Sequence, residues 1–209
     1  MSRHVTNEIP RSEAGHEPDE SPTDRVMSAA RRCFARFGVA KTTIEDIAGE
    51  AGMSRASVYR HVPGGRDQIV LEVLAGESEA RLVELVDEVS GHKRFADQLT
   101  AALVANIGAL RDDEQLAVIF STGSLRNVTD IPGYFETAVD LVERVLGPLL
   151  SNARREGEIR SGLSDRDVAE WLMRAMAGIQ FYRSETTSSQ DRLDWFVRTF
   201  VVAPLLAAT

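Results

Sequence analysis

Residues 42–67 read TTIEDIAGEAGMSRASVYRHVPGGRD, and the pattern of this segment is the most informative in the chain. Apolar residues recur at three- and four-residue spacing through its first half, which predicts a short helix with one buried face. Thr42 or Thr43 can cap this first helix, Gly52 can take the positive φ that ends it, and Ser54 can cap a second helix. Val58 then faces the first helix, while polar side chains occupy outward positions. Two short helices joined by a glycine turn are typical of a helix-turn-helix, which places its second helix in the major groove of DNA.

The segments on either side of the turn carry a further pattern. AARRCFARFGVAKTTIEDIA contains two alanines, an aromatic, a glycine, a threonine pair and an isoleucine–alanine couple, and VYRHVPGGRD is a tyrosine-containing exit that ends in glycine, a basic residue and aspartate. Together they resemble the DNA-binding domain of the TetR/AcrR family of bacterial transcriptional repressors over roughly residues 24–72. Val62 departs from the family's usual aromatic. An extra glycine displaces the usual lysine, so Arg66 becomes the candidate for its phosphate contact.

The outward side chains of the motif can be given roles by their chemistry. Arg55 can donate two hydrogen bonds to a guanine edge, and Ala56 can meet a thymine methyl group. Ser57 can reach a base or a phosphate, and Arg60 is a further outward basic residue. The side chains expected to contact phosphates, which fix register without reading sequence, are Thr42, Thr43, Tyr59, His61 and Arg66. Tyr59 can alternatively pack between the first and fourth helices, and it can do so while also contacting a phosphate.

Charge is distributed unevenly along the chain. The 209 residues include 24 Lys and Arg against 32 Asp and Glu, a net charge of −8, which is unfavourable for a DNA-binding protein. Residues 24–70 reverse this balance with eight basic and five acidic side chains, although a surplus of three charges could also arise by chance. The basic charge therefore lies where phosphates would bind, and the acidic remainder discourages binding by the wrong face.

Several function classes are disfavoured by composition. No apolar run is long enough to span a membrane, and the N-terminus lacks an apolar signal region, so we expect a cytoplasmic protein without membrane contact. Cys33 is the only cysteine, which excludes an intrachain disulfide and a zinc site built on cysteine pairs. Asp112 and Asp113 have no nearby histidine, and no Gly-rich phosphate loop follows a strand. We therefore expect no catalytic residues, no metal and no cofactor.

The whole chain is predicted to be all-α, with about nine helices. Residues 1–22 are rich in Glu, Ser, Pro and Gly and predict a flexible tail. A three-helix helix-turn-helix domain is expected at 23–70, and a larger helical domain for effector binding and dimerisation at 71–209. Besides the two helices of the motif, the apolar periodicity predicts helices at about residues 24–37, 66–90, 93–110, 114–124, 132–157 and 164–184, and from 191 onward.

The resemblance implies that the second domain forms a homodimer through its last two long helices and holds a small effector in its interior. The sequence candidates for the dimer interface are Trp171, Ala175, Ile179, Phe196 and Phe200. The alternative is that one chain buries all of these itself. The candidates for the effector pocket are Leu74, Leu103, Ile107, Phe120, Tyr134, Met173 and Met176. Ordinary core packing is the alternative for each of them. Few charged residues lie on the inward-facing sides of these helices, which favours a mainly apolar effector.

These features predict a dimeric repressor that binds a palindromic operator on double-stranded DNA and is released by a small effector. The effector would move the fourth helix and so change the separation of the two recognition helices. The alternative is a helical protein-interaction or architectural DNA-binding module without an effector. Activation of transcription is also compatible with the sequence, because the direction of regulation depends on where the operator lies relative to the promoter.

Overall fold

The computed structural model describes residues 20–112, 128–181 and 189–208, and the regular elements in these ranges are helices. The helices are α1 Pro22–Phe37, α2 Ile44–Glu50, α3 Arg55–His61, α4 Gly65–Val89, α5 Phe95–Asp112, α6 Tyr134–Arg155, α7 Asp165–Phe181 and α8 Gln190–Phe196. A π-helical segment, Val197–Val202, and a 3₁₀ turn, Ala203–Leu205, continue α8. The predicted all-α fold class is therefore confirmed over the described ranges.

The N-terminal domain consists of α1 to α3 and the first turns of α4. Phe34, Ile47 and Val58, one from each of the first three helices, are almost completely buried in one apolar cluster. The cluster continues along α4 as far as Leu74. The helix α1 starts two residues earlier than predicted, because the Ser21 side chain caps it and a proline occupies its first turn.

The second domain is built around a larger apolar cluster that joins α5, α6, α7 and the segment after α8. Its fully buried side chains include Leu99, Ile107, Leu150 and Leu193. The end of the chain is fixed to the turn after α6, where Ala207 N donates to the Glu158 carbonyl at 2.9 Å. This second cluster holds α5 to α8 together as one bundle.

One connection belongs to both domains. Val128 and Ile131, which precede α6 in the sequence, are buried in the N-terminal cluster and not in the cluster of their own domain. The long helix α4 connects the same two regions, with Leu74 in the N-terminal cluster and Leu85 buried against Ala102 of α5. The two domains therefore share a helix and a part of their interior.

Two further helix boundaries differ from the prediction. The helix α6 begins at Tyr134 and not at Pro132, because Gly133 has φ of 83° and a left-handed residue cannot lie within a right-handed helix. The last helix changes to π-helical geometry at Val197, which apolar periodicity does not reveal. The helix predicted at 114–124 and residues 1–19 of the predicted tail lie outside the described residues. None of the helices that the structure describes is long and apolar enough to cross a membrane.

Candidate nucleic-acid interface

The helix-turn-helix is held by side-chain caps at the start of both helices. Thr43 Oγ1 accepts a hydrogen bond from Asp46 N at 3.2 Å, and the Asp46 carboxylate accepts one from Thr43 N at 2.9 Å. The Thr43 hydroxyl also donates to the Asp46 carboxylate at 2.7 Å, and this bond, together with the one from Thr43 N, keeps the pKa of Asp46 below its ordinary value. Gly52 has φ of 65° in the turn, and Ser54 Oγ accepts from Ser57 N at 3.1 Å. Both helix starts are therefore fixed locally, as the sequence predicted.

The outward face of α3 is polar and open to solvent. Arg55, Ala56, Tyr59 and Arg60 are exposed, while Val58 on the opposite face is completely buried. Ser57 is half-buried, and its hydroxyl accepts a hydrogen bond from Arg60 at 3.0 Å. The helix therefore presents two guanidinium groups on one surface, the groups that proteins use most often to bind guanine edges and DNA phosphates.

Arg55 has a partner that the sequence did not reveal. Its guanidinium forms an ion pair with Glu45 of α2, with 2.6 Å between Nη1 and Oε1. Both side chains are more than half exposed, so water screens the pair. Ten residues and a turn separate the two positions, and only the packing of α3 against α2 brings them together. The contact holds Arg55 near the outer surface without burying it.

Arg66 fastens α4 to the loop between α1 and α2. Its Nε donates to the Thr42 carbonyl at 2.8 Å and its Nη2 donates to the Val39 carbonyl at 2.5 Å. Only 30% of the side chain is exposed, and its Nη1 lies 3.6 Å from Asp67. The predicted phosphate contact by Arg66 therefore has to share this guanidinium with a structural role.

The remaining predicted phosphate ligands differ in their availability. Thr42 was a wrong choice, because it is buried and its hydroxyl donates inward to the Gly38 carbonyl at 2.9 Å. Thr43 is exposed, but its hydroxyl is used in the α2 cap. His61 is half-buried at the end of α3. Tyr59 is 45% exposed and packs on the start of α4, where a Cβ on Gly65 would lie 2.7 Å from its ring. Its two predicted roles are therefore compatible.

Comparison with known proteins places these features in a family. The family described as bacterial regulatory proteins, tetR family, matches residues 26–73. The HTH-type transcriptional regulator Mb2274c of Mycobacterium bovis is 32% identical over 157 residues, which cover 75% of this chain and 79% of that protein. The chain belongs to the TetR/AcrR family of transcriptional regulators.

Two further comparisons describe the TetR/AcrR neighbours of this chain. The HTH-type transcriptional repressor AcnR of Corynebacterium glutamicum is 35% identical over 75 residues, or 36% of this chain and 38% of AcnR. The crystal structure of RolR with resorcinol superposes with a TM-score of 0.63 at 17% identity, over 88% of this chain and 87% of RolR. RolR is thus similar in fold. As a TetR/AcrR member this chain is a transcriptional regulator with a helix-turn-helix for DNA binding.

This TetR/AcrR regulator has a cavity of about 520 Å³ in its second domain, between α4, α5, α6 and α7. Five predicted pocket residues line it: Leu74, Leu103, Tyr134, Met173 and Met176. Ile107 is not in its wall, because that side chain is buried in the core of the bundle. Phe120 lies outside the described residues. Sequence reasoning missed most of the α4 wall, although the spacing of Leu71, Leu74, Ser78, Leu82 and Leu85 is that of one helix face.

The cavity lies directly beside the DNA-binding domain of the TetR/AcrR regulator. Tyr134 lines the cavity and also packs against the N-terminal apolar cluster, and burial raises the pKa of its hydroxyl. Thr129, between the buried Val128 and Ile131, is a second cavity residue from the same segment. A molecule in the cavity would therefore contact Thr129 and Tyr134, which are close in sequence to the core residues Val128 and Ile131 of the DNA-binding domain.

An exposed aromatic patch lies where α7 meets the end of the chain. It consists of Trp171, Trp195 and Phe200, whose exposed fractions are 40%, 45% and 50%. The Trp195 and Phe200 rings pack edge to face at 5.4 Å, and Trp171 Nε1 donates to the Val201 carbonyl at 2.8 Å. Trp171 and Phe200 are two of the residues predicted for the dimer interface, and Trp195 joins them without a signal in the sequence that separates it from core residues.

The other predicted interface residues are more enclosed than expected. Ala175 and Phe196 are half-buried and pack against the core of the second domain. Ile179 is only 7% exposed within this same core, so the chain itself covers it and its assignment to the interface was wrong. Helices with apolar residues on more than one side do not show from sequence which side meets the core.

Proposed function

We propose that the protein is a dimeric repressor that binds a palindromic operator through α3 of each subunit and releases it when a small, mainly apolar molecule occupies the cavity. The observation that carries this proposal is the α3 surface, where Arg55 and Arg60 are exposed on a helix capped at its start. To contact base edges, such a helix must enter the major groove with its arginine side chains exposed and not packed in the core. The repressor AcnR, which is similar over part of the chain, supports repression over activation.

The aromatic patch supports dimerisation. Monomeric proteins rarely leave adjacent large aromatic side chains in water, and such groups dominate the energetics of protein interfaces. A two-fold partner seated on Trp195 and Phe200 would also supply a second α3. Two recognition helices about 34–36 Å apart can enter successive major grooves on one side of the duplex, so the operator should be an inverted repeat.

The position of the cavity supports effector control. Its wall includes α4, whose first residue follows α3 by only a few positions. It also includes Thr129 and Tyr134, which lie beside Val128 and Ile131, the two residues of this segment that are buried in the N-terminal cluster. A ligand that stabilises a different position of these elements would change the separation of the two α3 helices. Coupling of about 1–3 kcal/mol would lower operator affinity about 5- to 150-fold.

Selection of bound duplexes from a random DNA pool tests the proposal with the full-length protein. We expect enrichment of an inverted repeat, and loss of preference at two symmetric positions when Arg55→Ala is used. Arg155→Ala, an exposed arginine at the far end of α6, is the matched control and should select the same repeat. Uniform binding to all sequences would identify an architectural module instead, and absence of salt-dependent binding would exclude a DNA-binding function.

A further inference from the structure

Two hydrogen-bond donors in the cavity wall lack an acceptor. Nε of Arg81 on α4 and Nε2 of Gln180 on α7 are buried, and neither has a hydrogen-bond partner among the residues that the structure describes. Both residues line the cavity, whose other walls are mostly apolar. An orphaned buried donor is costly, and proteins rarely keep two in one site without a use.

The other charged side chains of the wall already have partners. Glu77 accepts a hydrogen bond from Arg31 of α1 at 3.0 Å. Arg174 donates to the Glu170 carboxylate at 2.7 Å and lies over the Phe135 ring at 4.6 Å. Their charges are therefore largely compensated within the protein.

Arg81 is less well compensated. Its nearest carboxylates are Glu84 and Glu88 on its own helix, at 3.5 and 3.8 Å from Nη1. These are distances of ion pairs and exceed those of good hydrogen bonds. Only 26% of the Arg81 side chain is exposed, whereas both glutamates are more than half exposed. The cavity wall therefore contains one cation that is partly desolvated and incompletely hydrogen-bonded.

We propose that the cavity recognises an apolar molecule carrying one carboxylate, with the carboxylate bound by Arg81 and Gln180. A carboxylate accepts several hydrogen bonds, and a guanidinium–carboxylate pair is among the stronger contacts available to proteins. An amide donor from Gln180 would add a second bond, and the apolar body would lie against side chains such as Leu103 and Met176. This inference rests on the proposed function only in taking this cavity as the effector site.

Calorimetric titration of the full-length protein without DNA tests the ligand class. The probes are two matched sets: decanoate, decan-1-ol and decylamine for a flexible body, and 2-naphthoate, 2-naphthol and naphthalen-2-ylmethanamine for a rigid one. In at least one set we expect the carboxylate to bind about tenfold more tightly than the alcohol or the amine, as a charge-assisted contact would give. Arg81→Met should reduce that preference below about threefold while leaving the affinity for the alcohol unchanged.

Arg174→Met is the matched control, because it removes a wall arginine that already has a carboxylate partner, and it should keep the preference. Gln180→Met should weaken carboxylate binding and provides a second test if Arg81→Met fails to fold. Equal binding of the three members in both sets, failure of all six compounds to bind, or loss of the preference in Arg174→Met alone would overturn the proposal. The titration contains no DNA, so it tests the ligand class separately from effector control. If the preferred carboxylate then fails to change operator affinity in a DNA-binding assay, effector control is refuted and the ligand class still stands.

Discussion

Arg55 of the recognition helix is held by Glu45 of the preceding helix, with 2.6 Å between the guanidinium and the carboxylate. An exposed pair of this kind contributes about 0–1 kcal/mol, so a guanine edge can displace Glu45 at small cost. The carboxylate nevertheless stays beside a surface that would face DNA phosphates. We therefore expect Glu45 to lower the affinity of this surface for DNA in general.

Replacing Glu45 should strengthen DNA binding. Glu45→Gln removes a competing anion, and we expect affinity for random and selected duplexes to rise about 2- to 5-fold at low salt, with a smaller gain at high salt. Fluorescence anisotropy at two salt concentrations measures both effects. Glu156→Gln, at the far end of α6, is the control and should have no effect. An unchanged or weaker affinity for Glu45→Gln would show that the pair is needed to orient Arg55.

Arg66 should matter for stability as well as for DNA. Arg66→Met leaves the carbonyls of Val39 and Thr42 without their donors, and we expect the free energy of unfolding to fall by about 1–3 kcal/mol in denaturant titrations. Arg66→Lys should not restore it, because one ammonium group cannot reproduce the planar fork that reaches both carbonyls. Arg60→Met, which removes an exposed arginine, should change stability by less than about 0.5 kcal/mol. Equal stability of all four proteins would leave phosphate binding as the role of Arg66.

The DNA-binding domain was the more predictable part of the molecule, because its signals are local. Thr43, Gly52 and Ser54 act on residues within one turn of themselves, so their roles follow from spacing alone. The burial of Thr42 could not be predicted in this way, since its hydroxyl bonds to carbonyls at the end of α1. The Arg55 pair likewise depends on how α3 packs against α2.

The second domain was less predictable for a different physical reason. Helical periodicity identifies an apolar stripe, but a core, a cavity wall and a subunit interface can all be apolar. Ile107 and Ile179 were assigned to a pocket and an interface and prove to be core residues. Arg81 and Gln180 were missed because a polar residue on a helix is usually a solvated one.

The aromatic patch should control the oligomeric state. Trp195→Glu combined with Phe200→Glu places charge on the proposed interface, and we expect the dimer dissociation constant to rise at least about 100-fold, since central aromatic residues of interfaces often contribute about 2 kcal/mol or more each. Sedimentation velocity should then show a species of 23.0 kDa, the mass of one chain. Val83→Glu, which alters an exposed apolar residue of α4, should stay dimeric. A double variant that sediments as a dimer would place the interface elsewhere.

The cap of α7 should make stability depend on acid pH. Hydrogen bonds from Ser164 lower the pKa of Asp167 below its ordinary value of 3.8. Since the folded-state pKa is the lower one, the ionised carboxylate stabilises the fold fully above the unfolded pKa, and this stabilisation is lost as pH falls through the folded pKa. Asp167→Asn should therefore lower the melting temperature at pH 7, and the difference from the unaltered protein should narrow below about pH 3.8. A difference that is constant with pH would show that charge is not involved.

Val128 and Ile131 connect the two domains at a second place, in addition to α4, which is the only connection that sequence order suggests. A chimera that exchanges residues 22–74 for those of another regulator would leave these two side chains facing a foreign core, and cavities or overpacking in a core commonly destabilise proteins by about 1–5 kcal/mol. Functional grafts will need to transfer the 128–131 segment together with the DNA-binding helices. We therefore expect that a single crossover within α4 cannot join the DNA-binding helices of one such regulator to the cavity of another unless the substitutions keep this shared packing.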